Sequence, residues 1–82
     1  MDLVVLTEEL VKALALNKEA VSVKEFASDD ENTIVIQVMI DNSDMGRVIG
    51  KAGKVANSIR TIVQASSYLK ENKKVKINID SF

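Results

Sequence analysis

The sequence has no cysteine, no histidine, no proline and no tryptophan, and only three glycines and three aromatic residues among 82. Without cysteine there is neither a disulfide framework nor thiolate chemistry, a usage that suits a reducing compartment. Without histidine the chain lacks the commonest general base and the commonest metal ligand. A catalyst would have to be assembled from Asp, Glu, Lys or Ser, and no spacing here suggests such a pocket. No enzyme is expected, and no cofactor. Long apolar runs are missing too. Leu3-Val4-Val5-Leu6 follows an acidic Asp2 rather than a basic leader, and it is too short for a signal segment or a membrane span. The expectation is a soluble, cytoplasmic protein.

Hydrophobic residues make up 46% of the chain, enough for one small core and against disorder. The net charge of −1 hides a division. Residues 1–44 hold three cations against ten acids, a net of −7, while residues 45–82 hold eight cations against two acids, a net of +6. Such asymmetry within one small domain points to a face that meets a polyanion.

Periodicity gives the elements. Leu3, Leu6, Leu10 and Leu14, with Val11 and Ala13, predict a helix over 2–16, capped by Asp2 or by Thr7. Val21 and Val23 predict a strand over 21–27. The acidic stretch Ser28-Asp29-Asp30-Glu31-Asn32 lacks the spacing, glycine and terminal glutamate of a calcium loop and reads as a solvated hairpin turn. Ile34, Ile36, Val38 and Ile40 place a strand over 33–40, with Val35 and Met39 lending its other face the partial apolarity of a central strand. A short helix over about 44–49, capped by Ser43 or Asp44, precedes a loop. A longer helix from Lys54 to about Leu69 gathers Val55, Ile59, Ile62, Val63 and Leu69 on one stripe. Val75, Ile77 and Ile79 then alternate with polar residues as a last strand. The fold class is α+β, in the order α-β-β-α-α-β. The first two strands form a hairpin, and the two-helix crossover makes the last pairing parallel. Three helices cover one face of a mixed three-stranded sheet, as a single domain over 1–82.

The stretch around which this order is built runs from Met45 to Ile62. All three glycines, Gly46, Gly50 and Gly53, fall within eight residues there, with Arg47, Lys51, Lys54 and Arg60 among and behind them. Glycine tolerates positive φ and lets another backbone approach closely. The helix behind the loop offers unpaired N–H groups and a positive dipole end, so a phosphate is the natural guest. Two nucleotide motifs fail. Gly46 precedes Gly50 by four positions and Lys51 is followed by alanine, which is not a P-loop, and Val48 stands where a dinucleotide fingerprint needs glycine.

Val48-Ile49-Gly50-Lys51-Ala52-Gly53-Lys54-Val55 between two helices does resemble the signature of the K-homology (KH) domain, whose Gly-x-x-Gly loop clamps about four nucleotides of single-stranded backbone. The extra α-β unit at the N-terminus resembles the bacterial, type II version of that fold. A stand-alone domain of this size with Asp44, Gly46-Arg47-Val48-Ile49-Gly50-Lys51, Arg60-Thr61-Ile62 and Lys73-Lys74-Val75 is similar to the bacterial KhpA family. The resemblance implies a small cytoplasmic protein that binds single-stranded RNA, an RNA chaperone or regulator linked to cell-wall synthesis and cell shape. It also implies self-association as a homodimer, or pairing with a larger Jag-type KH protein, KhpB. On that basis Gly50 and Gly53 admit the sugar-phosphate chain, Lys51 supplies charge and Ala52 leaves room. Gly46, Arg47 and Lys54 flank the loop, while Ile49 and Val55, with Ile59, floor an apolar groove. Arg60 either joins the contact or pairs with an acid. Ala52 departs from the polar or basic residues frequent at that place in the family, which implies a weaker pull on phosphate. Lys73, Lys74 and Lys76 read as a solvated strand edge, and Tyr68 as half-buried packing. Ile62 and Val63 are core unless the helix stripe is wider than the sheet covers, in which case its margin is a dimer surface. The competing function is a protein-interaction adaptor that uses the same fold to recruit a partner.

Overall fold

Asp2 opens the first helix: its carboxylate accepts the Val4 N–H at 2.7 Å, and α1 runs Leu3–Leu14 in a computed structural model that describes residues 2–82. Thr7 is therefore not a cap. It lies buried in mid-helix, and its hydroxyl donates to the Leu3 carbonyl at 2.7 Å. The buried row of α1 is Leu3, Thr7 and Val11, flanked by partly buried Leu6 and Leu10, while Leu14 and Ala13 face outward. The row is rotated from the expected leucine stripe because the Thr7 hydroxyl is satisfied within the helix and can be buried without cost in lost hydrogen bonding.

Strands β1 (Ser22–Phe26) and β2 (Thr33–Ile40) form the antiparallel hairpin, with Val23 opposite Val38. The turn between them is closed locally: Asp30 accepts from the Asn32 N–H and from the Thr33 hydroxyl. Strand β3 (Lys74–Ser81) pairs parallel to β2 along its full length, giving the sheet order β1-β2-β3. Alternation along β2 is strict. Ile34, Ile36, Val38 and Ile40 are buried under the helices, and Thr33, Val35, Gln37 and Met39 lie partly exposed on the other face.

The crossover between β2 and β3 holds helices α2 (Met45–Ile49) and α3 (Lys54–Lys70). The order α-β-β-α-α-β, the mixed sheet and the three helices on one face are as the sequence predicted. The packing of α3 is not. Its buried row is Ala56, Ile59, Val63 and Ser67, whereas Ile62 is 48% exposed and Leu69 89% exposed. Small residues are needed where α3 comes down on the sheet and on the start of β3. There the Ser67 hydroxyl donates to the Lys73 carbonyl at 2.7 Å, and the Gln64 side chain brackets the same strand end, donating to Lys73 and accepting from the Val75 N–H. No helix among the described residues is long and apolar enough to cross a membrane.

Candidate nucleic-acid interface

The loop between α2 and α3 takes its shape from three successive departures from ordinary backbone. Gly50 lies at φ 75°, ψ 176°, Ala52 at φ 54°, ψ 27°, and Gly53 at φ 75°, ψ 12°. The region occupied by Gly50 is essentially closed to residues with a Cβ. Space is closed there as well. A Cβ on Gly50 would stand 2.4 Å from Val55 Cγ2, 2.8 Å from Val55 Cβ and 3.0 Å from its backbone nitrogen. Gly53 differs: its left-handed conformation is shared by Asn and Asp in many proteins, and an added Cβ would meet only Asn57 Nδ2 at 3.9 Å. Gly46 has helical backbone and open space around it, so conformation does not demand glycine there. What its missing side chain leaves is a bare, exposed patch of α2 beside the loop.

The Gly50 and Gly53 amides are spent inside the loop, so the donors left for an anion are the first free amides of α3. The Gly50 N–H closes α2 on the Gly46 carbonyl, and the Gly53 N–H returns to Gly50 at 3.2 Å. The α3 N-terminus that follows has no side-chain cap and no acid in its first turn. Lys51 and Lys54 stand there instead, exposed and without an acidic partner among the described residues. Cations at the positive end of a helix dipole cost a few tenths to about 1 kcal/mol each. The placement is unfavourable for the free protein and favourable for one holding a polyanion.

Arg47 and Arg60 are bound within the protein, each differently. Arg47 donates to the Ser43 carbonyl at 3.2 Å and lies 3.5 Å from the carboxylate of Asp44. Its side chain is 47% exposed while that of Asp44 is fully buried, so one face of the guanidinium stays open to solvent beside the loop. Arg60 pairs with no acid among the described residues. It folds against the outer edge of β3, with Nε and Nη2 donating to the Ile77 carbonyl at 3.4 and 3.3 Å and Nη1 donating to Asn57.

Ile49 and Val55 are partly buried at the loop, and neither lines the hollows beside Arg60, while Ile59 is sealed in the core. Hollows open on both sides of Arg60, one of about 470 Å³ against Gln64, Tyr68 and Val75, the other of about 510 Å³ against the β3 edge. Tyr68 stands at the rim of the first, 53% exposed. Val63 is wholly buried, so of the two residues considered for a dimer surface only Ile62 reaches solvent.

Asp44 is the residue whose part the sequence did not give. It was expected to cap α2 through its side chain, as was Ser43. Neither does. Asp41 caps the preceding 3₁₀ turn, accepting from the Ser43 amide and hydroxyl, and these bonds hold its carboxyl below the ordinary aspartate range. The Asp44 carboxylate turns inward and accepts the N–H groups of Leu16 and Asn17 at 3.0 and 2.9 Å. It ties the exit of α1 to the entrance of α2, and so holds the glycine loop against the rest of the fold. Its signal in the sequence was only its place one turn ahead of Val48 beside a predicted cap.

Comparison with known proteins agrees with this geometry. The family model for the KH domain of KhpA and KhpB matches residues 5–79. The RNA-binding protein KhpA of Clostridium perfringens is 42% identical over 74 residues, which cover 90% of this chain and 95% of that one. KhpA of Aquifex aeolicus is 40% identical over 60 residues, 73% of each chain, and that of Streptococcus pneumoniae serotype 4 is 39% identical over 71 residues, 87% of this chain and 85% of its own. Among solved structures, Era in complex with MgGDPNP and nucleotides 1506–1542 of 16S ribosomal RNA superposes with a TM-score of 0.69 at 18% identity. That match covers 96% of this chain and only 29% of the other, and it speaks to the fold alone.

Proposed function

This chain belongs to the KhpA/KhpB family of KH domains, and from that premise we propose that it binds single-stranded RNA by clamping the phosphodiester backbone at the Gly50–Gly53 loop. Family membership makes it a binding module and not an enzyme. One observation carries the clamp reading above the rest: Lys51 and Lys54 sit without an acidic partner among the described residues at the uncapped, positive end of α3, beside a loop whose backbone only glycine can adopt at position 50.

In the proposed complex the sugar-phosphate chain runs over Gly50 and Gly53, where no Cβ keeps it at a distance. The first amides of α3 and the ammonium groups of Lys51 and Lys54 face its phosphates, and Arg47 presents its open edge from α2. Bases turn past Ile49 and Val55 toward the groove between α3 and β3, alongside Arg60. Most of the affinity is then backbone electrostatics, so binding is weak for one domain, falls with salt and carries limited base preference.

Pairing would raise that affinity by avidity. Between Lys54 and Lys70 the only charged residue of α3 is Arg60, which is turned to β3. Its outward face carries Ser58, Thr61, Ile62, Ala65 and Leu69, small and apolar enough for helix-to-helix contact. We assign this face to a second copy or to the KH domain of a KhpB-type partner. The physiological setting we propose, a cytoplasmic RNA-chaperone or regulatory role tied to cell-wall synthesis and cell shape, is the one the family resemblance implies.

Amide chemical shifts recorded while a short oligouridylate is titrated in test the site. The clamp reading predicts the largest changes at Gly50–Val55, with a second set around Arg60. Changes centred on the outward face of α3, or none with RNA and many with a KhpB-type domain, would favour the adaptor reading.

A further inference from the structure

The face of the sheet that carries no helix is not an ordinary solvated surface. Register places Phe26, Val35 and Lys76 in one row across the three strands, with Thr33 and Lys74 in the row beside it and Lys24, Gln37 and Asn78 on the other side. The row spans two inter-strand spacings, about 10 Å. Phe26 is one of three aromatics in the chain and is 52% exposed. Lys24 stands two residues along the same strand and Lys74 and Lys76 lie across the sheet on β3, all exposed and without an acidic partner among the described residues. Lysines on an edge strand guard against aggregation, which would account for Lys74 and Lys76. It does not account for an open Phe26 among them, since an exposed aromatic invites the association that gatekeeping lysines prevent.

This face is continuous with the groove. The hollow of about 510 Å³ at the outer edge of β3 is lined by Arg60 and Ile77 on the helix side and by Thr33, Lys74, Lys76 and Asn78. Cations therefore follow one another from Lys51 and Lys54 through Arg60, round β3, to Lys76 and Lys74. The acids near this path sit at its ends. Asp80 lies beyond Asn78 opposite Met39, and the acidic turn at 29–31 bounds the Phe26 end, where the Asp30 carboxylate is taken up by Asn32 and Thr33.

We propose that a bound RNA strand longer than the loop-side site continues across the β3 edge onto the helix-free face, where Lys74, Lys76 and Lys24 hold its phosphates and Phe26 stacks a base. The proposal rests on the RNA-binding reading above and extends its footprint. A positively charged track with an exposed ring is how sequence-tolerant single-strand binding is built, and each stacked base is worth about 1–3 kcal/mol.

Fluorescence-anisotropy titrations of oligouridylates of four and twelve nucleotides decide it, with wild type, Lys74→Gln/Lys76→Gln and Phe26→Ala. All three substitutions are at exposed positions, and circular dichroism confirms the fold. The double variant is expected to bind the tetramer as wild type does and the dodecamer more weakly. Its slope of log affinity against log salt on the dodecamer should be shallower by about 1.4, two phosphates at about 0.7 each. Phe26→Ala is expected to lose at least about fivefold on the dodecamer alone, the low end of one stacked base. Unchanged dodecamer binding in both variants, or equal losses on both lengths, would overturn the extended path while leaving the loop site standing. So would a Phe26 variant that loses self-association and not RNA affinity, because the face would then be a protein surface. Wild type that binds neither length would remove the RNA reading itself.

Discussion

Replacing Gly50 by alanine should damage this protein far more than the same change at Gly53, although both lie at φ 75° in one loop. At Gly50 the new methyl falls 2.4 Å from Val55 Cγ2, and rotating the Val55 side chain cannot relieve it, because Val55 Cβ and N stand at 2.8 and 3.0 Å. Overpacking of this kind costs about 1–3 kcal/mol. The backbone region itself costs about 1–3 kcal/mol more for a residue with a Cβ. The sum, about 2–6 kcal/mol, compares with a total stability of about 4–12 kcal/mol for a domain of 82 residues. At Gly53 only the left-handed penalty of about 1–2 kcal/mol applies, partly offset by the stiffer unfolded chain. Urea unfolding followed by circular dichroism measures both, and the account requires the Gly50 variant to be the less stable, by about 2–3 kcal/mol at the middle of these ranges, at unchanged m. Adding Val55→Ala to each separates the causes. It should recover only the part of the overpacking that Val55 Cγ2 imposes in the Gly50 background, since alanine keeps the Cβ at 2.8 Å, and nothing in the Gly53 background, a coupling of about 0.5–2 kcal/mol. Equal destabilisation of the two single variants, or no coupling with Val55, would refute the reasoning.

Three further outcomes follow from the same geometry. Asp44→Ala leaves the Leu16 and Asn17 amides without their acceptor, which should cost about 2–4 kcal/mol in denaturant unfolding and speed hydrogen exchange at those two amides, while Asp44→Asn should cost less. Ile62→Asp, at a half-exposed position, should leave the melting temperature of the monomer nearly unchanged and abolish self-association in sedimentation equilibrium; a wild type that is monomeric at high concentration would refute the α3 dimer. Asp41 has a folded pKa lowered by the Ser43 hydroxyl and then the Ser43 amide, so its contribution is present above the ordinary aspartate value and is lost as pH falls through the lowered one. Asp41→Asn, which keeps a capping oxygen but not the charge, should therefore be somewhat less stable than wild type near neutrality, show a flatter profile below about pH 4 and converge with wild type at low pH.

How much of this was legible depended on whether a residue's fate was decided locally. Strand β2 was readable to the residue, since four isoleucines and valines at a two-residue period can bury one face in only one register. The order of elements and the parallel closing strand followed from chain geometry. Buried rows on the helices were less legible. Large apolar residues drew the expected stripes toward Leu14, Ile62 and Leu69, yet α1 and α3 bury Thr7, Ala56 and Ser67, chosen by how closely each helix approaches its neighbours. Such closeness is a tertiary fact. In the site, the glycines announced positive φ at positions 50 and 53, but Ala52 shares the left-handed region and no pattern signals it. Side-chain chemistry offers Arg60 either RNA or an acid, and its actual partner, a main-chain carbonyl of β3, is invisible at that level. Asp44 was misread for a related reason: a cap and a buried strut look alike until the turn at Leu16 and Asn17 is brought beside it.

The measurement that tests the central claim most directly is a titration of a labelled single-stranded RNA at two salt concentrations, with wild type and Lys51→Asp/Ala52→Asp. Aspartate enters the left-handed region more readily than alanine, so the variant can keep the loop backbone, and circular dichroism checks that it folds. The account predicts that wild type binds with an affinity that falls as salt rises, and that the variant, with two carboxylates facing the phosphates, does not bind measurably. Equal binding by both proteins, or none by either, would contradict it and assign this fold to the recruitment of a protein.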